Sequence, residues 1–90
     1  AAIVCGTHTH VQTADACILP GGTGYLTDLG MTGAIDSVLG VKPELVIAKL
    51  KQKLPVRFEA ASGPMMMNGA LFAVDPATGR AQSVERIDIR

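Results

Sequence analysis

The stretch Ile3-Val4-Cys5-Gly6-Thr7-His8-Thr9-His10 decides how this chain is read. Ile3-Val4-Cys5 is a continuous apolar run rather than an alternating one, the pattern of a short strand covered on both faces by other layers. A Gly/Thr loop follows at once, and it carries the only two histidines of the chain, one residue apart. In layered α/β proteins, ligand sites lie at the carboxyl ends of the strands, which is where His8 and His10 fall. Side chains two apart on extended backbone project to one face, so both imidazoles can aim at one cation or at an adjacent pair. Two imidazoles do not complete a site, because divalent centres take three or more protein ligands and two-metal centres need carboxylates to offset the ions' repulsion.

Working outward, Ile18-Leu19-Pro20-Gly21-Gly22-Thr23 has the residues of a tight turn. Gly24 to Gly30 alternates enough to form a second strand, whereas Met31 to Gly40 reads as a loop, since glycines recur and no helical stripe forms. Pro43 opens a helix expected to run to about Lys53. Val46, Ile47, Leu50 and Leu54 make its apolar stripe, and Glu44, Lys49, Lys51 and Lys53 form a solvated face with the lysines toward the negative end of the helix dipole. Beyond Pro55 the pattern returns to strands. Val56 to Ala60 alternates, Met65 to Val74 is a long apolar strand interrupted at Asn68-Gly69, and Asp75-Pro76-Ala77-Thr78-Gly79 turns the chain into a return strand from about Ala81 to Ile89. Met65, Met66 and Met67 read as flexible core filler, because consecutive strand residues cannot share a face to bind a metal.

Ninety residues make one small domain with a thin core, burying under about two-thirds of its unfolded surface. The chain starts at Ala1, and the apolar Ile3-Val4-Cys5 strand has nothing before it to pair with, so a processed chain or a piece of a longer one is expected, residues 1–90 being a single segment of one domain. Net charge is zero, yet residues 1–41 hold Asp15, Asp28 and Asp36 and no Lys or Arg, and all eight basic residues fall between Lys42 and Arg90. The histidine half suits divalent cations and is poor at gripping a phosphate backbone. One Tyr, two Phe and no Trp offer little surface for stacking bases, so sequence-specific nucleic-acid binding is not expected. No apolar run is long enough to span a bilayer and no secretion signal is present, so no membrane association is expected. With two cysteines in an apolar chain, a disulfide scaffold is not indicated and a reducing cytoplasm is the expected compartment.

Several constellations compete for chemistry. Cys5, His8, His10 and Cys17 offer a mononuclear zinc site, although their spacing matches no usual zinc pattern and Cys5 belongs to an apolar strand. Asp15, Asp28 and Asp36 are candidate carboxylates for orienting a histidine, and Asp28 stands first because it closes the second strand. Ser37 has no activating base in view.

Gly6-Thr7-His8-Thr9-His10-Val11-Gln12-Thr13-Ala14-Asp15, Ile18-Leu19-Pro20-Gly21-Gly22-Thr23, Thr27-Asp28 and Gly30-Met31-Thr32-Gly33 together strongly resemble the C-terminal third of bacterial calcineurin-like metallophosphoesterases of the YmdB type. Asp36 to Gly40, Pro55 to Glu59 and the closing Glu85-Arg86-Ile87 extend the resemblance over nearly the whole chain. It implies the C-terminal part of a layered α/β metallophosphoesterase sandwich, β-rich, with one main helix and a terminal hairpin. It further implies a cytoplasmic hydrolase of small phosphodiesters, 2′,3′-cyclic nucleotides being the substrate class. His8 and His10 would each ligate one of two divalent ions, iron or manganese foremost, with zinc and magnesium as further candidates. The other ligands and the proton-donating His belong to motifs with no counterpart here, so the remainder of a parent protein or another chain must supply them.

For the 90 residues alone, the competing expectation is a catalytically incomplete piece that acts as a structural or association module. The unpaired apolar first strand motivates it and makes a homo-oligomer the expected state.

Overall fold

In the computed structural model, which describes residues 1–53 and 55–90, the chain is a mixed α/β structure of two small sheets and one helix, 54 × 25 × 18 Å in extent. The first sheet holds β1 (Ile3–Cys5), β2 (Cys17–Ile18) and β3 (Gly24–Leu26) in the order β1-β3-β2. β1 runs parallel to β3, with Val4 opposite Tyr25, and β2 runs antiparallel on the other side. The second sheet is antiparallel throughout, with β4 (Thr32–Ala34) and β6 (Ala81–Ile89) flanking β5 (Met65–Val74).

The terminal hairpin follows its local sequence closely. Asp75 accepts the Gly79 N–H through its carbonyl and the Ala77 N–H through its carboxylate, closing the turn that the Asp-Pro-x-x-Gly segment encodes. Asn68-Gly69 does not interrupt β5: Asn68 pairs with Asp88 and Gly69 with Ile87, and the one irregularity lies at Ala73/Val74.

The two sheets meet where β6 begins. The Ala81 N–H donates to the Gly22 carbonyl at 2.7 Å, and the Phe72 ring packs so close to Gly24 that an added Cβ would lie 2.7 Å from it. Leu26, Ala34 and Ala81 are the buried apolar residues among those described. That short list matches the thin core expected of so small a chain.

The structure corrects several expectations. β1 is not covered on both faces; as an edge strand it leaves Ile3 and Val4 at 40% and 45% exposure. The second strand ends at Leu26 rather than Gly30, because Thr27 and Asp28 turn away to serve hydrogen bonds described below. Residues 31–40 are not all loop: Thr32–Ala34 pairs with Met65–Met67 as β4, held there by main-chain pairing and the burial of Ala34, neither of which its glycines advertise. Val56 to Ala60 forms no strand, and only Ala60 makes an isolated bridge to Val41. Met65 and Met67 are exposed rather than core filler.

Helix α1 covers Pro43–Gln52. Pro43 sits in the first turn, Glu44 beside the positive helix end, and Lys53 adopts the left-handed conformation that ends the helix by donating its N–H to the Lys49 carbonyl. No residue of α1 is buried: of the expected apolar stripe Val46 is half-buried and Ile47 and Leu50 are exposed, and Leu54, its last member, lies outside the described residues.

Candidate functional site

The histidine loop leaves β1 through a gap that only glycine fits. A Cβ on Gly6 would lie 2.5 Å from the Thr27 carbonyl oxygen, and the Gly6 carbonyl accepts the Leu29 N–H at 2.9 Å. Residues 8–11 then bend rather than extend, and His10 takes a left-handed φ of 63°. Strand alternation therefore does not bring His8 and His10 together. Thr9, between them, is what the fold grips.

Asp28 provides the grip. At 1% exposure it is the one buried charged residue among those described, and its carboxylate accepts three hydrogen bonds: the Thr9 N–H at 2.7 Å, the Thr9 hydroxyl at 2.6 Å and the Gly30 N–H at 2.8 Å. The Thr9 hydroxyl, followed by the Gly30 N–H, holds the Asp28 carboxyl below the usual carboxylate range, and the nearby His10 acts in the same direction. The sequence casts Asp28 as a group that orients a histidine directly; in the fold it orients the peptide that joins the two.

A second ring of hydrogen bonds supports this one. The Thr13 N–H donates to the Asp28 carbonyl, while the Thr13 hydroxyl accepts the Asp28 N–H at 3.0 Å and donates to Asp15 at 2.6 Å. Asp15 also accepts the Thr27 N–H and hydroxyl, and Tyr25 donates to that hydroxyl in turn. These hydroxyls, Thr13 first, pull the Asp15 carboxyl down to about 2. Asp36 is exposed and takes no part in this network. Ser37 closes a turn, donating to the Ala34 carbonyl and accepting the Gly40 N–H.

Cys5 and Cys17 are free and exposed, on the two outer strands of the first sheet with β3 between them. Two strand spacings separate such positions by about 10 Å, too far for a disulfide. Among the described residues no three His, Cys, Asp or Glu side chains gather around one point, so the mononuclear zinc set of Cys5, His8, His10 and Cys17 is not assembled. His8 and His10 remain as two exposed imidazole donors on one anchored loop, a donor type that suits divalent metals and a number that falls short of a full set.

His10 also lines a cleft of about 320 Å³. Its floor is one face of the terminal hairpin, where Met66, Asn68, Arg86, Asp88 and Arg90 stand. Met31, Ile35 and Leu39 form an apolar wall. Gln12 stitches the histidine loop to the hairpin, its amide nitrogen donating to the Gly69 and Ile87 carbonyls at 2.9 and 3.0 Å and reaching Leu29 at 3.4 Å. Arg86 adds a bond from its guanidinium to the Thr13 carbonyl.

Neither Gln12 nor Arg86 stands out by residue type, because a lone glutamine and a strand arginine carry no local signal. Arg86 also changes the charge beside the histidine loop, which the order of residues leaves without a basic side chain. The fold carries Arg86 and Arg90 back from the basic end of the chain to the cleft beside His10.

The family model described as YmdB-like protein matches residues 1–87. The chain belongs to this YmdB-like family. It is 51% identical over 87 residues to the 2′,3′-cyclic-nucleotide 2′-phosphodiesterase of Bacillus subtilis (strain 168), a match covering 97% of this chain and 33% of that protein. A solved structure described as a novel phosphatase from Mycoplasma pneumoniae superposes with a TM-score of 0.92 at 38% identity, covering 98% of this chain and 32% of the other. A hypothetical protein from Thermus thermophilus gives a TM-score of 0.91, also at 38% identity, covering 98% and 34%. The YmdB-like chain thus spans about a third of the length of the proteins it matches. Among its described residues no helix is long and apolar enough to cross a membrane.

Proposed function

We propose that this chain is the histidine-bearing part of a two-metal phosphodiesterase acting on small phosphodiesters such as 2′,3′-cyclic nucleotides, with His8 and His10 as ligands and the remaining ligands on polypeptide outside these 90 residues. The observation that carries the reading is the hold of buried Asp28 on Thr9, which fixes the peptide between two exposed imidazoles. Such preorganisation is what ligands of a metal centre require from their supporting shell. The resemblance to the 2′,3′-cyclic-nucleotide 2′-phosphodiesterase of Bacillus subtilis supports the substrate class.

When bound, two divalent ions, iron or manganese foremost, supply Lewis-acid stabilisation of the charge on the transferred phosphoryl group. The chain's own contributions are different. His8 and His10 present ring nitrogens, Thr9 and Asp28 keep the loop in place, and Arg86 and Arg90 give the adjoining cleft a positive balance over Asp88. The cytoplasm is the compartment proposed, on the two exposed thiols left unpaired across the first sheet.

The test uses a polypeptide of the relatives' length carrying these residues. Replacing His8 and His10 together by Ala is expected to abolish metal-dependent hydrolysis and to lower bound metal in elemental analysis, with the unfolding temperature little changed. Full activity and full metal content in that variant would dispose of the assignment.

For the 90 residues by themselves a second reading has its own support: self-association through the open edge of β1 and the uncovered face of α1, where Ile47 and Leu50 are 58% and 74% exposed. Light scattering on the isolated chain tests it, a monomer across the concentration range being the adverse result.

A further inference from the structure

We propose that the cleft beside His10 is the subsite that holds the base and ribose of a nucleotide substrate. The proposal rests on the phosphodiesterase reading above and deepens it. The cleft's 320 Å³ lies at the small end of ligand-pocket sizes, the scale of one nucleoside. Its lining divides as a heterocycle requires, into apolar contact surface and a few fixed polar groups.

The contact surface is thioether. With no Trp in the chain and its single Tyr committed to Thr27, an aromatic ring entering the cleft meets Met31 and Met66, whose polarisable sulfurs favour aromatic partners. β4–β5 pairing keeps these two methionines on the same cleft: the Asn68 N–H donates to the Met31 carbonyl, and Met66 stands opposite Gly33, which has no side chain to fill the space.

The polar groups left for a ligand follow from what the fold has already used. Gln12 spends its amide nitrogen on backbone carbonyls, so its oxygen remains as a rigidly held acceptor. Arg86 spends one guanidinium nitrogen on the Thr13 carbonyl and keeps the rest as donors. It stands opposite Ala70, whose short side chain leaves that donor fork uncovered. Asn68 and Arg90 both bond to Asp88, so that carboxylate is occupied and does not repel an anionic ligand as a free one would. An acceptor and a cationic donor set at fixed positions beside an apolar wall can read an exocyclic amine and a ring nitrogen or ribose hydroxyl.

The experiment compares wild type with the Met66→Ala/Arg86→Gln double variant, both on a polypeptide of the relatives' length. Its first readout is the ratio of kcat/KM for adenosine 2′,3′-cyclic phosphate to that for glycerol 1,2-cyclic phosphate, an ester without base or ribose. The ratio is expected to fall about tenfold, the scale of lost pocket contacts; an unchanged ratio overturns the subsite. The second readout is calorimetric binding of adenosine 3′-monophosphate, which does not depend on turnover. Binding by wild type that weakens about tenfold in the variant upholds the subsite even if neither ester is hydrolysed, in which case the phosphodiesterase reading alone fails. Absence of binding by wild type, or equal binding by both proteins, overturns the subsite whatever the esters do.

Discussion

The histidine loop and the arm between β4 and β5 are built on opposite principles. In the loop, residues 6–15 are held by polar bonds that begin and end within the chain: Asp28 is 1% exposed and its carboxylate has three donors. In the arm, no residue of α1 is fully buried and Leu50 is 74% exposed. Among the described residues the contacts made by the middle of the arm include the Lys42–Glu59 ion pair at 2.8 Å, the Lys49 ammonium over the Phe58 ring, and main-chain bonds around the Val41–Ala60 bridge. Exposed pairs of this kind add little, because water competes for both partners. The difference teaches that polar bonds can fix the shape of a loop in a chain whose helix keeps an exposed apolar face.

Removing Asp28 should break that contrast most severely. Asp28→Ala leaves the Thr9 N–H, the Thr9 hydroxyl and the Gly30 N–H without their acceptor, so the loop loses its fixed shape. In a polypeptide of the relatives' length, metal affinity measured by titration is expected to fall about 10- to 100-fold, the usual effect of removing a group that orients ligands. Affinity equal to wild type would mean that Thr9 is held by something other than Asp28.

Acid should separate the regions next. Asp28 and Asp15 have carboxyls lowered in the folded chain, Asp15 to about 2, against an unfolded value near 4. Carboxyls lowered on folding contribute stability that is fully present above the unfolded value and is lost as pH falls through the folded one. Protection of the Thr9 and Thr27 amides against hydrogen exchange, corrected for intrinsic rates, is therefore expected to decline between about pH 4 and pH 2. Glu59 is lowered as well, by its partner Lys42, but that pair is exposed and should leave a weaker trace in the arm. Constant protection of the loop amides across this window would count against the carboxylate lock.

The smallest effect on stability is expected in the arm. Ile47→Ser with Leu50→Ser should shift the unfolding free energy of the isolated chain by no more than about 0.5 kcal/mol per site, since neither residue is buried. Light scattering should show less self-association than in wild type. A large loss of stability would mean that the helix face already packs within the chain.

How far these regions could be read from the sequence depends on the reach of the bonds that make them. The terminal hairpin was legible because the long apolar run Met65–Val74, the return strand Ala81–Ile89 and the Asp-Pro-x-x-Gly turn between them are local properties. Pro43 marked the helix start for the same reason. β4 was not legible, since a Thr-Gly-Ala segment becomes a strand only through a neighbour more than thirty residues away. The same holds for the site. His8 and His10 stood out by type and spacing, yet their expected common face rested on extended backbone, and the loop bends instead.

The amino-acid order alone therefore determined which donors exist, where the chain turns, and that an apolar strand leads into a histidine loop. Only tertiary structure decided that Asp28 holds Thr9, that Gln12 ties the loop to β5 and β6, and that Arg86 and Arg90 stand at the cleft His10 lines. The physical reason is range. Propensity and periodicity act over a few residues, whereas Gln12 meets Ile87 across 75 positions of sequence, a contact that exists only after both sheets have formed.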